Sequence, residues 1–448
     1  MYKIVELKMD IQIHEIFHLF KDEEDAVFLD SSLQNHLGQY SIIGLFPYLK
    51  LAKGKNFKVN GEVCDCEFET YTKDYLKKNK VKKQKTGLPI ISGAIGYFSY
   101  DYGRKKMKVH GSEQQTVDIP DVILNFYDVF IIADHVKNKI FLVANGELKD
   151  PDCCLRELIC KIENSIKSSQ IEEKKRIIKV RPNFEKNDYL KAVQDTIDYI
   201  IEGDIYIANL TQHLKIESSK KPYDVFCTLR EKNPSPFGGY FNGGDFQIVC
   251  ASPERFLKMK DGHVETRPIK GTRKRGETAK EDALMKEELI HSEKDQSELL
   301  MIVDLERNDL NKVCKPGSVK VTELFTIETY ATVFHLSANI VGDLQEDKTV
   351  LDLIEGTFPG GSITGAPKLR AMEIIDTLEH SRRNLYTGSM GYLTLDGDCD
   401  FNIVIRSTLY KDGIYYLGVG GGITYESELE FEYEETLQKA KALLEAMR

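Results

Sequence analysis

Apolar positions recur along this chain with two different periods, and the change of period divides it. Between about residues 3 and 150 they come in short runs separated by polar turns, at 26–29, 41–45, 90–100 and 122–133. Runs of that length bounded by turn residues predict strands, so the first third reads as β-rich. From 150 to 182 the spacing becomes helical, with Leu155, Leu158, Ile159, Ile162 and Ile166 set in a background of lysine and glutamate. That pattern predicts a solvated connecting helix and a linker. After Asn187 helical spacing returns in Leu190, Val193, Ile197, Ile200 and Ile201, with Gly203 as a stop. A strand over 205–214 follows, then further alternation at 246–251, 390–395, 401–410 and 414–419, with helices around 280–310, 367–379 and 430–447.

These elements predict an α/β chain rich in antiparallel hairpins, organised as a β-rich region 1–150, a connecting segment 151–185 and a second unit 186–448. No internal repeat interrupts it. The formal net charge of -10 argues against nucleic-acid or membrane-surface binding, because such proteins need a basic footprint. Nine cysteines without a CxxC pair or Cys/His ligand spacing read as reduced thiols, and no segment approaches a signal peptide or a membrane span, which places the chain in the cytoplasm.

Three places carry candidate chemistry. Lys270 lies in Arg267-Pro268-Ile269-Lys270-Gly271-Thr272-Arg273-Lys274-Arg275-Gly276, where neighbouring cations would disfavour the ammonium and expose a nucleophilic amine, although a charge run is usually a solvated loop. On the C-terminal helix Tyr433, Leu437, Ala440, Leu444 and Met447 share one face, while Glu432, Glu435 and Lys439 share another. That second face is either a metal and substrate surface or an exposed ion pair. Glu298, in an apolar helix, offers a carboxylate partner, and all-oxygen ligation with retained water suits magnesium. Two glycine runs, 357–368 ahead of a helix and Gly420-Gly421-Gly422 after a strand, are tight turns or places where backbone meets an anion.

Together these segments resemble the chorismate-utilising enzymes. The resemblance rests on Ser252-Pro253-Glu254-Arg255-Phe256, the Lys270 loop, the run 300–310, the loop 359–370, and Gly420-Gly421-Gly422-Ile423 followed by Glu432 and Glu435, all in the family's order. It implies a four-layer sandwich of the anthranilate synthase component I type, two antiparallel sheets packed together and flanked by helices, with 186–448 as the chorismate-binding unit. It further implies that Glu298 and Glu435, with Glu432 close by, hold Mg²⁺; that Glu254 is the acid for the departing C4 hydroxyl; and that His335 lies near the reacting ring. Thr272, Ser362, Gly365, Tyr386, Arg406, Gly420, Gly421 and Lys439 match substrate-binding positions. Leu29-Asp30-Ser31-Ser32 resembles a strand that in some relatives forms a tryptophan pocket, with Ser32 as its candidate residue.

Within the family, lysine at position 270 marks the branch that aminates chorismate at C4, aminodeoxychorismate synthase component I, by covalent attack of the lysine at C2. Ile207 stands where water-adding members carry a lysine base and many amine-transferring members a glutamine, and an isoleucine cannot activate water. With no glutaminase nucleophile setting in the chain, the resemblance implies a glutamine amidotransferase partner that supplies ammonia. The alternatives are anthranilate synthase component I and a non-catalytic ligand-binding relative.

Overall fold

The long strands Tyr40–Lys53 and Val122–Asp134 carry the architecture. They pair antiparallel along nearly their whole length, with a register shift between Pro47 and Leu49, and every residue of the second is buried. An extra residue in one strand bends it, so the two halves of the pair join different neighbours. The computed structural model describes residues 2–109, 111, 117–164, 176–330 and 333–448, and Ile166 of the predicted connecting helix lies outside them.

One half of the pair belongs to a sheet that runs from Lys3–Leu7 and Lys139–Ala144 through Val27–Asp30, Phe237–Asn242, Phe246–Ser252, Ser407–Lys411, Ile414–Ile423 and Ile207–Glu217 to Lys179–Pro182. The other half belongs to a sheet that runs from Glu62–Val63 and Phe57–Val59 through Gly93–Phe98, Ser389–Thr394, Cys399–Asn402, Arg255–Lys260 and His263–Arg267 to Val333–Asp343, which also receives Ile269–Lys274 and Lys320–Thr329. Every one of these pairings is antiparallel. Strands from before residue 150 therefore pair directly with strands after 186, and Lys179–Pro182, within the connecting segment, is an edge strand.

The core follows the layers. Val27, Phe130, Phe241 and Ile248 of the first sheet meet Ile95, Tyr97, Ile123 and Met390 of the second. The outer face of the first sheet is covered by Ile13–His18, Pro151–Glu163, Pro222–Lys232 and Leu429–Ala446, which bury Phe17, Leu158, Phe226 and Leu443. The second sheet is covered by Phe68–Lys78, Glu293–Asn311 and Val350–Thr357, which bury Phe68, Leu299, Val303 and Leu353. Helix, sheet, sheet and helix give the sandwich its four layers. No helix among the described residues is long and apolar enough to cross a membrane, and all nine cysteines are free.

Two local readings need correction. The run 401–410 is not one strand: Cys399–Asn402 lies in the second sheet and Ser407–Lys411 in the first, and the chain crosses between them through Arg406, whose φ is +52°. Because both ends are buried strands, hydropathy is continuous across the break. On the C-terminal helix the buried positions are Glu432, Thr436, Ala440, Leu443 and Ala446, whereas Leu437 is 37% exposed. The helix turns polar side chains toward an internal cavity at its N-terminal end, so apolar spacing misplaces the buried face there.

Gly96 pairs with Leu124 in the second sheet, and a Cβ on it would stand 1.8 Å from the Ile123 carbonyl oxygen. Gly96→Ala is expected to lose about 2 kcal/mol or more in urea unfolding, and a loss below about 0.5 kcal/mol would show that the strand pair yields there.

Candidate active site

A cavity of about 710 Å³ opens where Ile207–Glu217 and Ile414–Ile423 of the first sheet approach Ile269–Lys274 and Val333–Asp343 of the second, beside the start of the C-terminal helix. Lys270 reaches it because of a bulge. Gly271 is the extra residue in its strand, so that Lys270 opposes Leu336 and Thr272 opposes His335. Its φ of +68° favours glycine, and a Cβ would lie 2.8 Å from Leu289 and 2.9 Å from Asp295. Both Lys270 and Thr272 line the cavity.

The charge environment of Lys270 is the reverse of the expected one. Arg267 is bound to Glu328 and Glu323, Arg273 to Glu288 and Asp295, and Arg275 to Asp282, so each flanking arginine is neutralised elsewhere. The lysine Nζ donates to the Ser362 carbonyl at 3.2 Å. A Cβ on Gly422 would stand 3.3 Å from that Nζ, 3.3 Å from Ile207 Cδ1 and 3.7 Å from Glu298 Oε2, which places an apolar wall and a carboxylate at the same spot. Ile207 is fully buried in that wall.

Glu254 lines the cavity from the turn between Phe246–Ser252 and Arg255–Lys260, and burial pushes its carboxyl up to about 7. Such a group keeps a proton to donate near neutral pH. Glu306 is buried behind the loop that carries Ser362, with its Cγ 3.1 Å from the position a Cβ on Gly361 would take. The Thr266 hydroxyl lies 2.7 Å from the Phe256 carbonyl and 2.9 Å from Glu306 Oε2. One hydroxyl proton serves both only as a divided, weaker bond, whereas a protonated Glu306 donating to Thr266 satisfies both contacts. Burial, then the charge of Glu254, pushes Glu306 up to about 8 in agreement with that geometry.

His335 is held by Thr272, whose Oγ1 lies 3.0 Å from Nδ1, and its ring packs edge-on against Tyr330 at 5.0 Å. Burial, reinforced by Arg406, lowers it to about 4, so the imidazole is neutral. Arg406 donates to the Lys439 carbonyl at 3.1 Å and forms no ion pair among the described residues. A buried guanidinium so placed is suited to a carboxylate from outside the chain. Lys439 donates to Glu435 at 2.8 Å and to the Gly420 carbonyl at 2.9 Å. Asn209 Oδ1 also faces this region, buried and without a hydrogen-bond partner, and the Ser362 hydroxyl lies close enough to Glu254 to stabilise its carboxylate.

The carboxylates gather against the glycine run. A Cβ on Gly421 would lie 2.6 Å from Glu435 Oε2 and 3.2 Å from Glu432 Oε2. Burial raises Glu298 and Glu432, while Lys439 outweighs burial to hold Glu435 below the usual carboxylate range. Among the described residues no three His, Cys, Asp or Glu side chains are arranged as a ready-made metal cage.

Lys270, Glu254, His335, Thr272, Ser362, Tyr386, Arg406, Gly420, Lys439, Glu298, Glu432 and Glu435 all line this one cavity. Gly421 lies behind the two glutamates, and Gly365 sits in the strand pair with Ala208, where a Cβ would strike the Ile207 carbonyl at 2.2 Å. Ser32 lies elsewhere: its hydroxyl exchanges hydrogen bonds with the Ser235 backbone, while Asp30 and Ser31 line a separate cavity of about 500 Å³. Sequence reasoning missed Asn209, Lys294, Asp295 and Glu306. Asp295 and Lys294 had a findable signal, one turn before Glu298 on the same helix; Glu306 had none, because its role depends on Thr266 forty residues away.

Residues 27–445 match the family of chorismate binding enzymes. The chain is 35% identical to anthranilate synthase component 1 of Acetivibrio thermocellus, covering 100% of this chain and 96% of that one. It is 36% identical to aminodeoxychorismate synthase component 1 of Bacillus subtilis, covering 99% and 96%. The crystal structure of anthranilate synthase component I from Streptococcus pneumoniae superposes with a TM-score of 0.81 at 30% identity, over 93% of this chain and 94% of that one. The chain belongs to the chorismate-binding enzyme family and is a chorismate-utilising enzyme.

A carboxyl that binds its proton more tightly folded than unfolded adds stability below its unfolded value, and loses it as pH rises through its folded value. Glu306, ordinary when unfolded and at about 8 when folded, therefore weakens the fold toward alkaline pH. Glu306→Gln keeps a donor for Thr266 without the titration. Its stability relative to the parent, measured by urea unfolding, is expected to improve from pH 5 to about pH 8 and to level off above it; a difference independent of pH would contradict a protonated Glu306.

Proposed function

We propose that the protein is the chorismate-binding component of an aminodeoxychorismate synthase, converting chorismate and ammonia to 4-amino-4-deoxychorismate and water on the route to p-aminobenzoate and folate. The observation that carries this reading is the amine of Lys270 inside the cavity, with Glu254 in the same wall and the apolar Ile207 beside it. A lysine there supplies a nucleophile, and the isoleucine supplies no base for water. The same comparison leaves anthranilate synthase component I as the second reading, because relatives of both names stand at nearly equal identity.

The donor set fits magnesium, which binds through one or two carboxylates and keeps water and substrate oxygens for its remaining positions. Glu298 and Glu435 would hold it with Glu432 close by, and bound there it would neutralise a substrate carboxylate. Arg406 and Lys439 take up the substrate's anionic groups beside it. The Lys270 amine attacks ring C2; the ring double bonds shift, the C4–O bond breaks, and Glu254 gives its proton to the leaving hydroxyl, which departs as water. Ammonia then attacks C4, the double bonds shift back, and the C2–N bond to Lys270 breaks to return the free amine. Two easier displacements replace one difficult one. Neutral His335, fixed by Thr272, borders the ring without adding charge. We assign the ammonia supply to a separate glutamine amidotransferase subunit, since the sequence places no cysteine in a glycine-rich nucleophile-elbow setting with a matching His/Glu pair.

With chorismate, Mg²⁺ and ammonium, mass spectrometry of the products is expected to show aminodeoxychorismate; anthranilate and pyruvate would establish the second reading instead. Lys270→Ala should lower C4 amination by at least about a hundredfold with the fold intact, and full activity would remove the lysine from the chemistry. Glu298→Gln and Glu435→Gln should each raise the Mg²⁺ concentration needed for half-maximal turnover, and an unchanged requirement would clear those residues of metal binding. Glutamine alone should support no turnover by the purified chain.

A further inference from the structure

Tyr386 separates the catalytic cavity from a second one of about 280 Å³, and both Tyr386 and Gly418 stand in the walls of each. The ring rests so closely on Gly418 that a Cβ there would lie 2.2 Å from its Cγ. On its other side it meets the His213 ring nearly at right angles, with centroids 6.2 Å apart. The partition between the two spaces is one side chain thick.

The second cavity has a distinct chemistry. Arg181, His213, Lys215, His380 and Arg383 line it, and no Asp or Glu does among the described residues. Arg181 is committed to Glu217 and Arg383 to Glu379, whereas Lys215 has no ion pair among the described residues. His213 Nε2 is buried and has no hydrogen-bond partner. Leu385, Val404, Leu409, Leu417 and Tyr416 supply an apolar part of the wall, and Asn183, Ser381, Asn384, Ser407 and Thr408 a polar uncharged one. A slot of this volume, with a lysine, an unpartnered imidazole nitrogen, apolar wall and no opposing carboxylate, is complementary to one ring bearing one negative charge.

The loop that carries Tyr386 is held under tension and wired to the catalytic side. His380, Asn384 and Thr387 have φ of +50°, +53° and +60°, and none is glycine, so each is held in a backbone conformation that side chains disfavour. Arg383, in the same loop, donates to the carbonyls of Ile363 and Asn209, both of which line the catalytic cavity. A shift of this loop therefore moves the walls on both sides together.

We propose that the second cavity is an effector site for a small carboxylate carried on a single ring, and that its occupant changes catalysis by displacing Tyr386. The site is separate from the cavity of about 500 Å³ near Asp30 and Ser31, with which it shares no lining residue.

Benzoate is the probe, titrated calorimetrically into the full-length protein, with Lys215→Glu and His213→Leu as site variants and Arg406→Ala to disable carboxylate binding in the catalytic cavity. Binding is expected in the parent and in Arg406→Ala, and at least about tenfold weaker in both site variants. In steady-state turnover benzoate should depress kcat in the parent even at saturating chorismate, while the site variants keep parental activity without benzoate and lose the response. Binding that is absent, that survives both site variants, or that disappears in Arg406→Ala would overturn the proposal. Circular dichroism of the variants separates lost binding from lost fold, and the calorimetry holds whichever reaction the neighbouring cavity runs.

Discussion

The close approach of the C-terminal helix to the glycine run Gly420–Gly422 is the contact on which the rest of the site depends. Each glycine makes room for a different partner: Gly420 for the Leu210 carbonyl, Gly421 for the carboxylates of Glu432 and Glu435, and Gly422 for Lys270, Ile207 and Glu298. Side chains on this strand would push the helix and its acids away from the nucleophile. The absence of three Cβ atoms thus lets acidic, basic and apolar groups converge on one strand edge without a layer of packing between them.

That convergence requires both sheets. The bulged pair Tyr40–Lys53 and Val122–Asp134 turns a continuous run of antiparallel pairing into two packed layers, so that Lys270 and His335 arrive from one sheet and Gly420–Gly422 from the other. Arg406 sits at the second crossing between them, in a left-handed conformation uncommon for an arginine. Of the described non-glycine residues with positive φ, Arg406 is the one that lines the catalytic cavity.

Much of this was legible in the sequence because it is local. Periodicity located the long central strands and the C-terminal helix but not strands such as Arg255–Lys260, His263–Arg267 and Val333–Asp343, while the ordered motifs assembled a set of residues that share one cavity. What escaped was set by tertiary contacts. The charge on Lys270 could not be read from its arginine neighbours, since Glu323, Glu328, Glu288 and Asp282 neutralise them from other elements. The burial of Glu432 contradicts simple amphipathicity because a cavity, rather than a core, lies beneath that turn. Glu306 reads as one more charge in Leu305-Glu306-Arg307-Asn308, and only Thr266 reveals it as a protonated acid. The crossing at Arg406 is invisible because both of its flanks are buried strands.

The electrostatic design follows from these contacts. Burial keeps Glu254 near 7 and His335 neutral, while Lys270, Arg406 and Lys439 share one cavity with Glu298 and Glu435. The proposed chemistry requires that Lys270 form a bond to the substrate during turnover. Intact-protein and peptide mass spectrometry after rapid acid quench, with chorismate and Mg²⁺ but no ammonia, detects such a bond. A mass gain equal to chorismate less one water is expected, located on Lys270 and discharged when ammonium is added. An unmodified Lys270 under conditions where ammonium still yields product at the normal rate would contradict it.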